Sequence, residues 1–146
     1  MNRRYYCLLI VLFFAVLIQA AAAERTYNIL FVQSYTSQTP WHSDLNQGLV
    51  KGFKESGLKV NITTEYLDAD FWAFNSEKVI MRRFCQRARD RQTDLIITAS
   101  DEAFYTLFAC GDSLPLQIPV VFFGIKYPDM ELIAAHPNAV SYTHLT

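Results

Sequence analysis

Three polar residues, Ser100, Asp101 and Glu102, come shortly after an apolar segment of the sequence, residues 95–97. An apolar run without polar alternation is typical of a parallel strand that helices cover on both faces. Ser100 has a side chain that suits a helix N-cap, and the two carboxylates favour the positive end of the helix dipole. Small ligands bind beyond the carboxyl ends of strands in open α/β sheets, so this turn is a candidate binding position. An ordinary capped turn explains the same three residues equally simply.

A second polar segment, residues 34–42, follows the apolar residues 29–32. It carries several hydroxyl groups, two aromatic side chains, Tyr35 and Trp41, and the imidazole of His42. It lacks the glycines of a phosphate-binding turn, which argues against a nucleotide cradle. Because this segment follows the end of a predicted strand, we expect these side chains to contact a ligand. Packing of Trp41 and a structural role for His42 at a helix start are the alternatives.

Catalytic motifs are missing from the sequence. It contains no G-x-S-x-G elbow, no H-E-x-x-H and no P-loop, and the adjacent residues Asp101 and Glu102 point in different directions on a helix. Asp68 and Asp70 follow another strand-like segment, where they could meet a cationic or hydroxyl-rich ligand or remain solvated. We therefore predict no catalytic site, no metal site and no cofactor within this sequence.

The predicted elements that position these residues are four strands separated by three long helices. The strands are expected near residues 27–33, 58–66, 94–98 and 119–123. Crossovers of helical length make parallel, right-handed β-α-β units. The predicted fold class is therefore α/β, a doubly wound parallel sheet with strand order 2-1-3-4.

Two of the predicted helices carry further local signals. The first is expected to end near Ser56 and Gly57, since glycine is a common helix stop. The second is expected to bury an apolar stripe and to expose a solvated face rich in arginine. The stripe consists of Val79, Ile80, Phe84 and Ala88.

The composition fits a single globular domain. The chain has 146 residues, of which 51% are hydrophobic and 18% are charged, so it can bury a core. The formal net charge is −1, and no basic patch indicates a nucleic-acid partner.

Residues 1–23 have the layout of a secretory signal peptide. Arg3 and Arg4 precede an apolar run at 5–18, and a series of alanines then offers cleavage sites. Export to the periplasm, or another extracytoplasmic location, follows. An uncleaved membrane anchor is the alternative, and Cys7 lies too early in the apolar run for a lipoprotein cysteine.

Two further cysteines, Cys85 and Cys110, occur late in two predicted helices that flank the same strand. In an oxidising compartment they could form a disulfide. Each also fits the role of a small buried apolar residue, and the sequence does not decide between the two.

Three segments carry a family resemblance: NILFVQSY at 28–35, DLIITASDEA at 94–103 and PVVFFGI at 119–125. Together they resemble the amino-terminal lobe of the periplasmic binding protein type I fold. The likeness is strongest to the substrate-binding-protein-like sensor domains of bacterial sensor histidine kinases, and it covers about residues 27–140. The resemblance implies a partial lobe of a two-lobed domain, with a small-molecule ligand held between the lobes.

In that family the ligand contacts follow strands one, three and four. The matching positions here are Ser34, Tyr35, Ser100, Asp101, Glu102, Gly124 and Ile125. A glycine such as Gly124 also lets the backbone approach a ligand closely or adopt a positive φ. Because carboxylates surround the turn at Ser100, we expect a neutral or zwitterionic ligand.

The resemblance implies the extracytoplasmic sensor domain of a membrane-bound two-component histidine kinase. The alternative is a soluble substrate-binding protein of an ABC-type transporter, since such proteins share the strand-end pattern. A complete two-lobed domain needs about twice this length, so we expect that the second lobe, any inner-membrane segment and any kinase core are missing here. Residues 141–146 resemble a translated sequencing adapter, and we expect this tail to be non-native and to pack on nothing.

Overall fold

The computed structural model describes residues 25–38 and 40–142. The expected signal peptide at 1–23 and the last part of the expected tail, 143–146, lie outside the described residues. Within the described ranges, none of the helices combines the length and the apolar character needed to cross a membrane.

Strands and helices alternate along the described chain. In order, the elements are β1 (Thr26–Gln33), α1 (Pro40–Ser56), β2 (Lys59–Tyr66), α2 (Phe74–Asp90), β3 (Leu95–Ala99), α3 (Asp101–Ala109), a 3-10 turn (Leu114–Leu116), β4 (Val120–Phe123), α4 (Met130–Ala135) and β5 (Ala139–Ser141). The four predicted strands agree with β1 to β4 to within one residue at each end.

All five strands lie parallel in one sheet with the order β2-β1-β3-β4-β5. This confirms the predicted α/β class and the predicted order of the first four strands. The chain moves from β1 outward to β2, and it then crosses back to β3, β4 and β5. Right-handed crossovers in these two opposite directions place the connecting helices on opposite faces, which is the doubly wound arrangement.

The two faces of the sheet pack against different helices. One face carries Leu30, Val32, Ile96, Val120 and Phe122, which share the larger core with residues of α2 and α3. The other face carries Ile29, Phe31 and Ile97, which pack with apolar residues of α1. The alternation of side chains along β1 explains this division, because successive residues of a strand point to opposite faces.

Helix α2 buries most of the predicted stripe, with one exception. Of the predicted residues Val79, Ile80, Phe84 and Ala88, the last two are buried and Ile80 is part-buried against the core. Val79 is 43% exposed, whereas Met81, which was not predicted, is fully buried. Met81 lies on the same face of the helix as Phe84 and Ala88, because the spacing of these three residues follows the helical repeat closely. This face, and not the one that contains Val79, is turned toward the core.

The arginines of α2 were predicted to form a solvated face, but three of them bond to other parts of the chain, two through ion pairs. The Arg87 guanidinium forms an ion pair with Glu65 of β2 at 2.8 Å. Arg89 pairs with Asp112, which follows α3. Both arginines are part-buried, so this surface helps to fix α2 on the sheet.

The chain after β4 adds a strand where an unpacked tail was expected to begin. Ser141 pairs with Phe122 in the β4–β5 register, and the Tyr142 N–H donates to the Phe122 carbonyl at 2.8 Å. The expectation that the tail packs on nothing is therefore wrong for the backbone of these two residues. Their side chains are exposed. A non-native origin of 141–146 stays a prediction.

Candidate functional site

The carboxyl ends of β1, β3 and β4 lie side by side. Gln33 is opposite Ala99 in one register, and Ala99 is opposite Phe123 in the next. Hydrogen bonds continue the alignment beyond the strands: the Ser34 N–H donates to the Ala99 carbonyl (3.2 Å), and the Ser100 N–H donates to the Phe123 carbonyl (3.0 Å). The loops that follow these strands therefore start from one edge, which we call the carboxyl edge.

Ser34 is fully buried, and its hydroxyl joins β1 to the start of α3. The hydroxyl donates to the Ala99 carbonyl (2.9 Å) and accepts a hydrogen bond from the Ala103 N–H (2.9 Å). Ala103 is the third residue of α3, where the backbone N–H has no acceptor within the helix. Ser34, directly after β1, thus caps α3. Its hydroxyl already donates one hydrogen bond and accepts another within the fold.

Ser100 stands at the N-cap position of α3, but its side chain makes no capping hydrogen bond. The expectation of a serine cap from this residue is wrong because its backbone has φ 75° and ψ 170°, whereas a capping residue has β-region angles. This conformation is almost confined to glycine and costs another residue about 1–3 kcal/mol. A strained, nearly buried serine therefore begins the helix at the carboxyl edge.

Tyr35 and Glu102 form a polar pair across the same two loops. The Tyr35 hydroxyl donates to Glu102 Oε1 at 2.8 Å. Burial, and then this hydrogen bond, raise the pKa of Tyr35 to about 12, and the nearby negative charges of Asp70 and Asp101 act in the same direction. The second oxygen, Glu102 Oε2, is buried and has no hydrogen-bond partner within the described residues. One carboxylate oxygen at the edge is thus left to accept a hydrogen bond.

Glu77, in the first turn of α2, adds a buried carboxyl group that the sequence analysis missed. It is only 5% exposed, and it accepts a hydrogen bond from the Thr106 hydroxyl at 3.2 Å. Burial is the main cause that raises the pKa of Glu77; the Thr106 bond lowers it, and the charge of Glu102 raises it. The burial of Glu77 could have been predicted from the sequence, because Glu77 lies at helical spacing from the buried residues Met81 and Phe84.

Asp101 fixes the loop that follows β4. Its carboxylate accepts hydrogen bonds from the Lys126 N–H (3.0 Å to Oδ2) and the Tyr127 N–H (3.2 Å to Oδ1). These contacts hold the loop after Gly124 close to the start of α3. Ile125 lies in this loop, but it is part-buried and packs against the larger core. The structure does not bring Ile125 into the contacts described here.

Gly124 lies next to the ring of Trp41. Its φ is 71°, and a Cβ built at this position would lie 3.5 Å from Trp41 Cη2 and 3.6 Å from the Ser100 nitrogen. These are ordinary contact distances, so the backbone conformation, more than lack of space, calls for glycine. Trp41, which begins α1 together with Pro40, is 45% exposed and therefore offers a ring face at the carboxyl edge.

His42 is a buried support for the aromatic residues around it. Its ring is fully buried, 4.9 Å from the Trp41 ring and 5.8 Å from the Tyr35 ring between centroids. Its Nδ1 hydrogen-bonds Oε1 of Gln33. Burial lowers the pKa of His42, so the imidazole is neutral at pH 7. His42 contributes to the site through these neighbours.

A group of exposed aromatic residues follows β2 at the same edge and was also missed. Phe71, Trp72 and Phe74 are 74%, 50% and 49% exposed. Their segment is held to the edge because the Ala69 N–H donates to the Ser34 carbonyl at 2.9 Å. The signal available in the sequence was three aromatic side chains among four residues, 71–74, a short distance after the end of a strand.

A large apolar groove is lined by none of these candidate residues, although one of its walls, Phe123, is the last residue of β4. It has a volume of about 550 Å³ and runs between α1 and the sheet, where Leu45, Leu49, Val121 and Phe123 line it. Its walls offer few polar groups to orient a ligand, and it follows the part of the sheet face that α1 leaves uncovered. We therefore place the candidate site at the carboxyl edge.

Comparison with models of known protein families finds no match, and neither does comparison with curated proteins. Solved structures do match. One is a conserved domain protein from Vibrio cholerae O1 biovar El Tor, with a TM-score of 0.53 and 16% identity over 71% of this chain and 32% of that one. Another is the ligand-free, open structure of a substrate-binding protein with adhesive properties from Clostridium difficile, with a TM-score of 0.55 and 16% identity over 79% of this chain and 38% of that one.

The chain spans about a third of the length of these two structures. Identities this low show a shared fold and leave the ligand open. The fold is an α/β domain with an all-parallel, five-stranded sheet between helices, and it matches part of a periplasmic-binding-protein-like lobe.

Proposed function

We propose that this chain is one lobe of an extracytoplasmic small-molecule-binding domain that senses its ligand for a membrane-bound histidine kinase. The observation that carries the binding role is the carboxyl edge, where an exposed Trp41 ring follows β1, and the strained Ser100 and the unused Glu102 oxygen follow the adjacent strand β3. The shared fold with a substrate-binding protein supports a binding role. The kinase assembly rests on the sequence resemblance to sensor domains.

The chemistry of the edge favours a neutral or zwitterionic ligand. The N–H groups of Asp101 and Glu102, the first two residues of α3, suit a carbonyl or carboxylate oxygen of the ligand. Glu102 Oε2 suits a hydroxyl, amide or ammonium donor, and the Trp41 ring suits a flat apolar part. The carboxylates of Asp70, Asp101 and Glu102 repel a strongly anionic molecule.

Binding would complete a cleft between this lobe and a second one. A ligand that contacts both lobes favours the closed state over the open state by its difference in affinity for the two. In a sensor kinase, that closure is the movement that an inner-membrane segment transmits.

The test of the binding role uses the full-length ectodomain. A thermal-shift screen of neutral and zwitterionic compounds identifies a ligand, which is then titrated by calorimetry into Trp41→Ala and Glu102→Gln variants. We expect at least a tenfold loss of affinity in each, about 1.4 kcal/mol. Glu55→Gln is the matched control, since Glu55 is exposed near the end of α1, far along the helix from Trp41. Unchanged affinity in both site variants, with folding intact, contradicts the proposed site.

The assembly is tested on the complete parent gene. A membrane segment followed by a histidine-phosphorylation helix and an ATP-binding domain supports the sensor, and ligand-dependent autophosphorylation then measures its output. A reading frame that ends after the second lobe supports the transporter alternative instead.

A further inference from the structure

Cys85 of α2 and Cys110, directly after α3, meet inside the larger core. They are 0% and 1% exposed and belong to the same cluster of buried residues. Contacts on both sides of Cys85 hold the segment around Cys110 against this face of α2. Arg82, one turn before Cys85, donates to the Cys110 carbonyl at 2.8 Å, and Arg89, one turn after it, pairs with Asp112. A disulfide joins cysteines whose Cα atoms lie about 4.4–6.8 Å apart, a range that two buried residues on adjoining segments can meet.

We propose that Cys85 and Cys110 form a disulfide that ties α2 to α3 when the chain is exported to an oxidising compartment. Each thiol loses its proton, and the two sulfurs together lose two electrons as the S–S bond forms. The electrons and protons pass to the disulfide of a thiol-oxidising protein, which is reduced to a dithiol.

The surroundings of the pair set the order of the two exchange steps. The hydrogen bond from Cys85 lowers the pKa of the Cys110 thiol to about 7, so Cys110 is the better thiolate near neutral pH. It attacks the oxidant first and forms a mixed disulfide. Cys85 then displaces the oxidant's sulfur from Cys110. The residue after Cys110, Gly111, is exposed, so local opening of the helix end gives the oxidant access.

The bond would brace the two helices whose first turns contribute to the carboxyl edge. Glu77 lies in the first turn of one of these helices, and Asp101 and Glu102 lie in the first turn of the other. A covalent link near their opposite ends limits how far these first turns can move apart. This inference needs export for its oxidant but is independent of any ligand, so a failed ligand screen leaves it unaffected.

The experiment equilibrates the purified full chain with a glutathione buffer of oxidising poise, quenches it with acid and alkylates it after denaturation. Mass spectrometry should then find two fewer alkylated cysteines than in the reduced chain. Without reduction, a tryptic digest should contain residues 84–87 linked to residues 92–126, and reduction should separate the two peptides. The oxidised protein should melt roughly 10 °C or more above the reduced protein.

A Cys85→Ser variant is the control, and it should lose both the linked peptide and the redox dependence of the melting temperature. If that variant does not fold, Cys85→Ala replaces it, while the peptide map of the wild-type chain remains decisive. An unchanged thiol count in wild-type protein that circular dichroism shows to be folded overturns the proposal. A link from Cys7 to either cysteine overturns it as well.

Discussion

The Ser34 hydroxyl caps helix α3 across the sheet by accepting a hydrogen bond from the Ala103 N–H at 2.9 Å. The next residue, Tyr35, makes a second link through its hydroxyl to Glu102. The loop after β1 and the start of α3 are therefore one polar unit at the carboxyl edge. A substitution in the loop after β1 should therefore alter the start of α3, and a substitution at the start of α3 should alter that loop.

Replacing Ser34 with alanine should destabilise the protein by about 1–3 kcal/mol, because the Ala103 N–H would lose its acceptor in a buried position. Urea unfolding measures the change. Ser37→Ala is the control, because Ser37 is exposed in the following turn and should stay within about 0.5 kcal/mol of wild type. Equal effects of the two substitutions would mean that the cap does not stabilise the fold.

Two glycine substitutions should act in opposite directions. Gly124→Ala should destabilise by about 1–2 kcal/mol, because its φ of 71° is unfavourable for a residue with a Cβ. Gly48→Ala, within α1, should stabilise by up to about 1 kcal/mol, because alanine is the better helix former and a Cβ there meets nothing within 4 Å. Thermal unfolding of both variants checks the difference in sign, and shifts in the same direction would contradict it.

Much of the fold follows from local patterns. The unbroken apolar runs of β1, β3 and β4 and the helical spacing between them were sufficient for the sheet order and for the convergence of their loops. Gly57, with a φ of 73°, ends α1 as its position after Ser56 predicted.

The errors concern partners that are distant in sequence. Ser34 and Ala103 are 69 positions apart, so the serine cap was assigned to the adjacent Ser100. Arg87 was taken as solvated because Glu65, its partner on β2, is not visible in a helix pattern. Glu77 differs, since its own helix already placed it on the buried side. The type of a side chain determines which hydrogen bonds and ion pairs it can form. Which of these actually form depends on the neighbours that the folded sheet brings next to it.

The buried carboxyl of Glu77 should lower stability as the pH rises. Its pKa is above the ordinary value of 4.5, chiefly because of burial, so the folded state binds this proton more tightly than the unfolded chain does. The stability that it contributes is therefore lost as the pH increases through the window above 4.5. Glu77→Gln should gain stability relative to wild type between pH 4 and pH 7.5, as measured by urea unfolding at each pH.

Asp94 provides the control of opposite sign. The Asn28 N–H, followed by the Arg25 guanidinium, lowers the pKa of Asp94 below its ordinary value of 3.8. Its contribution is present above that pH and is lost as the pH falls below it. Asp94→Asn should therefore be destabilising at pH 7, and its effect should shrink in acid. The same pH trend for both variants would contradict the assignment of Glu77 as a buried carboxyl.

The strain at Ser100 leads to the last prediction, in which stability and binding should separate. Ser100→Gly should raise the free energy of unfolding by about 1 kcal/mol, because glycine adopts φ 75° and ψ 170° readily and no side-chain cap is lost. Ser76→Gly is the control: Ser76 is exposed within α2, and glycine there should cost about 0.5 kcal/mol of helix stability.

In the full-length ectodomain, Ser100→Gly should bind the ligand of the domain more weakly than wild type despite its greater stability, because it lacks the hydroxyl next to the first turn of α3. Calorimetric titration and urea unfolding of the same samples measure both quantities. A more stable variant with unchanged affinity would show that the Ser100 hydroxyl is not part of the site, and a less stable one would show that its side chain stabilises the fold in spite of the strained backbone.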